Sequence, residues 1–267
     1  MNLFSPAEFT ANYALASANK AKLPISKLLL LGILSGFLIG FPSLVTNMAA
    51  YALTNNSVIR IVSGVLFAFG LGMVVLTGAE LFTGNCLMVI GLLDKRITTA
   101  DLLRNWGIVL VGNFLGSMLL SWIVARFGWL SAGNNALAEF TMRLAQNKMT
   151  MPFGNAVMMG VLCNMLVALG VLMSLAGKDG ISRIIAAWAP VMFFVTCGFN
   201  HSIADMTYCM AGLFARNCYA AEAVAYPLLT WGNYLTGNLL PVVLGNAIGG
   251  CAIGVLFWFC WLRKRDT

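Results

Sequence analysis

Ala79-Glu80-Leu81-Phe82-Thr83-Gly84-Asn85 and Thr196-Cys197-Gly198-Phe199-Asn200-His201-Ser202 are the two stretches on which the fold turns. Each sets glycine and polar side chains where an unbroken apolar helix is expected. Ile61 to Ala79 and Ile184 to Asn200 carry no Asp, Glu, Lys or Arg. Nor do Leu28 to Leu53, Asn105 to Ala125, Met149 to Gly177 and Ala223 to Leu262. A helix needs about 20 apolar residues to cross the hydrocarbon of a bilayer. These runs therefore predict an all-α polytopic membrane protein with six transmembrane helices, the second and fifth broken. The last run is long enough for a reentrant or interfacial piece plus a span, with Pro227 and Pro241 as natural breaks. Composition agrees, since 60% of the 267 residues are hydrophobic and 9% charged, against roughly 25% charged in soluble domains. So few charges cannot cover a soluble fold, and lipid must be the solvent over much of the surface.

Outward from the breaks, the two halves echo each other. Gly112-Asn113-Phe114-Leu115-Gly116-Ser117 in the third run matches Gly245-Asn246-Ala247-Ile248-Gly249-Gly250 in the sixth. Small residues at that spacing let helix backbones approach closely, the usual packing device in lipid. The amide in each motif also needs a partner within the span. Three spans per half is an odd number, so the second half must run inverted through the membrane, a 3+3 inverted repeat. The chain divides into an interfacial N-terminal helix (1–27), a first three-helix repeat (28–128), an extracytoplasmic connection (129–152), a second repeat (153–262) and a tail (263–267). Inverted repeats place a pathway at their interface, where helices are interrupted. Broken backbone at membrane depth is tolerated only where it lines a cavity or is buried in protein. His201, the single histidine of the chain, falls in one break. Ionisable groups inside spans are expensive and functional by default, and Thr83, in the other break, is its expected partner. Glu80 is expected to hold the loop of the second span.

The formal net charge of +7 does not point to nucleic acid, because the cations follow topology. With the N-terminus inside, Lys20, Lys22, Lys27, Lys95, Arg96, Arg104, Lys178, Arg183, Arg263, Lys264 and Arg265 fall on the cytoplasmic side. Arg60, Arg126, Arg143, Lys148 and Arg216 fall outside. That bias satisfies the positive-inside rule and puts both termini in the cytoplasm of a multi-pass cell-membrane protein. No basic n-region with an apolar core opens the chain, so no cleavable signal is expected. Ser5-Pro6-Ala7-Glu8 has capping-box order instead, with Phe9, Tyr13 and Ala16 on one face of the helix that follows. The seven cysteines form no CxxC and fall mostly in spans, which argues against a disulfide framework or a metal site. A single histidine cannot supply bis-histidine haem ligation, and no cofactor is expected.

Taken in order, several motifs resemble the formate/nitrite transporter family over almost the whole chain. They are Ser5 to Glu8, Gly78 to Asn85, Asn105-Trp106 with the Gly-Asn motif after it, Gly160-Val161-Leu162-Cys163-Asn164, Gly198 to Met206, and Gly245-Asn246. The resemblance implies an aquaporin-like helical fold and a homopentamer with a separate pore in each protomer. It implies passage of a small monovalent anion (hydrosulfide, formate or nitrite) through the bilayer, and no enzymatic reaction. An outer constriction is implied at Phe67, Leu71 and Phe194, and an inner one at Leu81, Phe82 and Val167. Thr83 and His201 would lie between them, with Asn164 and Asn246 as polar pore groups and Lys148 near the outer vestibule. One position departs. Many formate and nitrite members have Glu immediately before the central histidine, where this chain has Asn200, and that change resembles the hydrosulfide branch. Hydrosulfide is therefore the expected anion, with formate or nitrite, and possible proton coupling, as the alternative. A neutral-solute channel of the aquaporin type is the rival of another class, but paired Asn-Pro-Ala motifs are absent.

Overall fold

The computed structural model describes residues 3–263, so Lys264, Arg265 and nearly all of the tail expected at 263–267 lie outside the described residues. Helix α1 (Pro6–Ala21) starts on the expected box, in which the Ser5 hydroxyl accepts from the Glu8 N–H and the Glu8 carboxylate accepts from the Ser5 N–H at 2.7 Å. Its buried face includes Phe9, Tyr13 and Ala14. α2 (Ile25–Ala50) is the first span. The second is α3 (Asn56–Phe67) running into α4 (Phe69–Thr77), followed after a break by α5 (Phe82–Asn85) and α6 (Val89–Leu93). α7 (Thr99–Arg126) is the third span and α8 (Ala136–Met149) lies in the connection. α9 (Phe153–Ala176) is the fourth, and α10 (Gly180–Cys197) the fifth, followed after its own break by α11 (Ser202–Cys218). Two short pieces, α12 (Ala220–Ala223) and α13 (Trp231–Asn233), lead to α14 (Leu240–Trp261). Six helical stretches are long and apolar enough to cross a bilayer, as expected, the last counted from Trp231 to Trp261. The described residues hold no strand beyond one bridge between Leu3 and Gly177.

The two breaks have one cause. Gly78 and Gly198 stand at φ 67° and 77°, a left-handed conformation that side chains other than glycine's make costly. Each ends its helix there. Three residues on, Leu81 and His201 sit in extended backbone as the residues preceding α5 and α11.

The sequence expectation fails at Pro241. Pro227 lies in the turn between α12 and α13, but the helix passes Pro241 without a break. A π-helical stretch, Tyr234–Leu239, comes immediately before it. Its wider turns carry the chain past a residue that has no N–H to give.

Packing repeats between the halves. α2 lies on α7, and α9 on α14, through glycine contacts. A Cβ on Gly116 would collide with the Ile33 carbonyl, and one on Gly245 or Gly249 would collide with the Val157 or Val161 carbonyl. With lipid outside, such backbone approach is what holds helices together. α11 and α8 pack on each other and on the first repeat, which brings Lys148, near the end of α8, against the second break.

Candidate functional site

One amide secures each break. The Asn113 side-chain oxygen accepts from the Phe82 N–H (3.0 Å), and its nitrogen donates to the Gly32 and Glu80 carbonyls (both 2.9 Å). The Asn246 oxygen accepts from the Ser202 N–H (2.8 Å), and its nitrogen donates to the Gly160 and Asn200 carbonyls (2.8 and 3.1 Å). Backbone groups that the broken helices leave without partners are thereby satisfied inside the membrane. Asn246 was expected as a polar pore group. Both its protons and its oxygen are spent on backbone, so its amide secures the second break as Asn113 secures the first.

Where the breaks meet, the Thr83 hydroxyl lies 2.9 Å from His201 Nε2. His201 Nδ1 accepts from the Ala204 N–H (3.1 Å), the cap of α11. A nitrogen that accepts from a backbone N–H carries no proton, so the neutral ring holds its proton on Nε2, which donates to Thr83. The Thr83 hydroxyl proton is then free for another acceptor. Asn164 fixes Thr83 from behind, its amide donating to the Thr83 carbonyl (3.1 Å) and to that of Asn246 (2.6 Å).

A cavity of about 530 Å³ opens on the α8 side and reaches His201, with Phe67, Phe194, Arg60, Lys148 and Asp205 among its walls. The Phe194 ring stacks on His201 (centroids 5.7 Å apart) and meets Phe67 edge to face at 6.0 Å. A second cavity of about 180 Å³, on the α1 side, is walled by Leu71, Leu81, Val171, Tyr13 and Lys20 among others. The two share no lining residue. The resemblance grouped Leu71 with Phe67 and Phe194. The structure puts Leu71 on the wall of the smaller cavity with Leu81, because α4 carries it one turn further along the span than Phe67. Phe82 and Val167 are buried and line neither cavity, and Phe82 packs edge to face on Trp106.

Each break also holds a lysine. Lys20 reaches Glu80 at 2.7 Å and the Asn85 oxygen at 3.0 Å. Lys148 reaches the Asn200 oxygen at 3.0 Å and Asp205 at 2.6 Å. In both halves the lysine bridges positions five apart, but acid and amide have changed places. Glu80, expected to hold its loop, is bonded there to Lys20 and to the Asn85 amide, which donates to it at 2.6 Å. Asn200, read as the loss of an acidic neighbour, does not leave Lys148 without a carboxylate. Asp205, one turn into α11, supplies it. That residue was in the quoted motif but drew no role, although a carboxylate in an apolar setting demands a cation nearby. The contacts of Lys20 and Tyr13 with the first break also went unread, since α1 gave no signal of where it docks. Tyr13 donates to the Gly84 carbonyl at 2.8 Å.

The comparisons with known proteins point one way. A family model described as formate/nitrite transporter matches residues 7–260. The chain is 34% identical over 254 residues to the Bacillus subtilis protein named uncharacterized transporter YrhG, covering 94% of this chain and 91% of that one. It is 34% identical to the Escherichia coli formate channel FocA over 216 residues, 78% of this chain and 76% of the relative. A solved structure described as a pentameric formate channel with formate bound superposes with a TM-score of 0.79 at 30% identity, over 90% of this chain and 98% of that one. Two helix breaks secured by matching amides, six spans and a match from end to end have one reading. This chain belongs to the formate/nitrite transporter family.

Proposed function

We propose that this chain conducts small monovalent anions of weak acids through each protomer, with formate as the first substrate and the Thr83–His201 pair as the point of passage. The hydrogen bond between those two side chains, from opposite halves and at the end of the larger cavity, is the observation that carries the reading. An anion leaving water loses several kcal/mol of hydration even after relaxation. Phe67 and Phe194 would strip that water, and the free Thr83 hydroxyl proton would replace part of it. In this arrangement Thr83 and His201 form one donor, with Nε2–H supporting the hydroxyl. The Ala204 N–H at Nδ1 opposes a second ring proton, which favours hydrogen-bond donation over full proton transfer. We place α1 and the smaller cavity on the cytoplasmic side, in keeping with the charge bias of the loops, and the larger cavity outside. A homopentamer is supported by the pentameric relative.

Formate ranks first because relatives matched over most of this chain are named for it. Hydrosulfide is kept as a second reading on one observation, that an amide rather than a carboxylate stands beside His201. The retained carboxylate at Asp205 weakens that argument without removing it, since Asn200 is still the nearer neighbour in sequence. The test is stopped-flow uptake into proteoliposomes of formate, nitrite, hydrosulfide and chloride. Formate faster than chloride supports the reading. Hydrosulfide fastest of the four moves the assignment to the second reading, and no uptake above protein-free vesicles, with folded protein, overturns both.

A further inference from the structure

We propose that Arg60, and not Lys148, is the residue that captures the anion at the mouth of the larger cavity. The inference rests on the transport reading above. Three charged side chains line that cavity: Arg60, Lys148 and Asp205. Lys148 and Asp205 are paired at 2.6 Å, with side chains 15% and 1% exposed, so their charges largely cancel. Arg60 is exposed, and among the described residues no carboxylate pairs with it. The surplus positive charge of the cavity wall therefore sits at Arg60.

Its position suits the task. Arg60, Ser63 and Phe67 follow one face of α3 and all line the cavity. Seven residues of helix put Arg60 about 10 Å along the axis from Phe67. An anion held there meets the aromatic pair next. The guanidinium is also anchored. Nη1 donates to the Thr196 carbonyl in the last turn of α10 (3.3 Å), and a Cβ on Gly198 would lie 2.7 Å from it. Glycine at the break thus makes room for the guanidinium as well as for the turn. The remaining N–H groups, with the permanent positive charge, attract a small anion at the mouth. The ligand class is a small carboxylate or a similarly sized monovalent anion.

The test is initial formate uptake by proteoliposomes against formate concentration, at low and at high ionic strength. Wild type is compared with Arg60→Gln, Arg60→Lys and Arg143→Gln. Arg143 lies over the Phe140 ring and does not line this cavity. At low salt, Arg60→Gln raises the half-saturating concentration about twofold to fivefold, the size expected for losing one solvent-exposed charge at the mouth. The maximal rate stays the same, Arg60→Lys recovers most of the loss, and Arg143→Gln has little effect. At about 1 M salt the Arg60→Gln difference disappears, because screening shortens to about 3 Å. An unchanged half-saturation in Arg60→Gln, an equal change in Arg143→Gln, or a difference that survives high salt overturns the capture role while transport stands. If Arg60→Gln does not assemble, wild-type half-saturation must still rise with salt, and a flat response overturns the proposal. Wild type without formate uptake is a separate failure, that of the transport reading itself, and the capture site falls with it.

Discussion

Asn113 and Asn246 make the same set of three hydrogen bonds in opposite halves of the molecule, each tying one helix break to the neighbouring span. Replacing either by Ala leaves one buried N–H (Phe82 or Ser202) and one carbonyl at the break (Glu80 or Asn200) short of that partner, and removes a second bond from a helix carbonyl (Gly32 or Gly160). Buried unsatisfied groups cost about 1–3 kcal/mol each in water-soluble proteins, and side-chain hydrogen bonds inside membranes measure less. Asn113→Ala and Asn246→Ala should each lose about 2–4 kcal/mol, seen as comparable falls in thermal midpoint of the detergent-solubilised protein. If Asn246→Ala keeps its midpoint and loses only flux, Asn246 is a pore group after all.

The exchange of acid and amide around the two lysines yields a sharper test. Asp205→Asn leaves the Lys148 ammonium buried without a carboxylate, which should cost about 2–4 kcal/mol of stability. Adding Asn200→Asp returns a carboxylate to the other side of the same ammonium, reproducing the order found at Lys20, Glu80 and Asn85. The double variant should therefore be more stable than Asp205→Asn alone, again by thermal midpoint. A double variant no better than the single one would show that Asp205 matters for a reason other than its charge on Lys148.

Much of this was legible in the sequence. Six charge-free runs give six spans because lipid admits few charges, and the paired Gly-Asn motifs give the inverted halves because close packing in lipid needs small residues. Glycine and polar residues within 79–85 and 196–202 announce the breaks. Pro241 was misread, since a proline signals a missing donor but not the wider upstream turn that absorbs it. Lys148 is placed near the outer vestibule by resemblance, but its pairing with Asp205, 57 positions away on a different helix, is not legible in the sequence, nor is the cavity that Leu71 lines. Long-range pairing of this kind has no period in the sequence. Only packing decides it.

The N-terminal cap should respond to pH in a defined direction. Hydrogen bonds from the Ser5 backbone and hydroxyl hold the Glu8 carboxyl below its ordinary range. A depressed folded value means that the carboxylate supports α1 above the ordinary Glu range and ceases to do so as pH falls below it. Hydrogen exchange at residues 6–12, corrected for intrinsic rate, should therefore quicken as pH drops through the acidic range. Glu8→Gln should be faster than wild type at neutral pH and show less of this dependence. Equal exchange in the two proteins at every pH would remove the cap from the account.

The most direct test of the central claim is formate flux through wild type and His201→Ala, reconstituted at equal density and checked for intact assembly. If Nε2–H supports the Thr83 hydroxyl as donor to the anion, the variant should conduct more slowly, by severalfold to about tenfold, the worth of one hydrogen bond. A His201→Ala protein that assembles and passes formate at the wild-type rate would contradict the account.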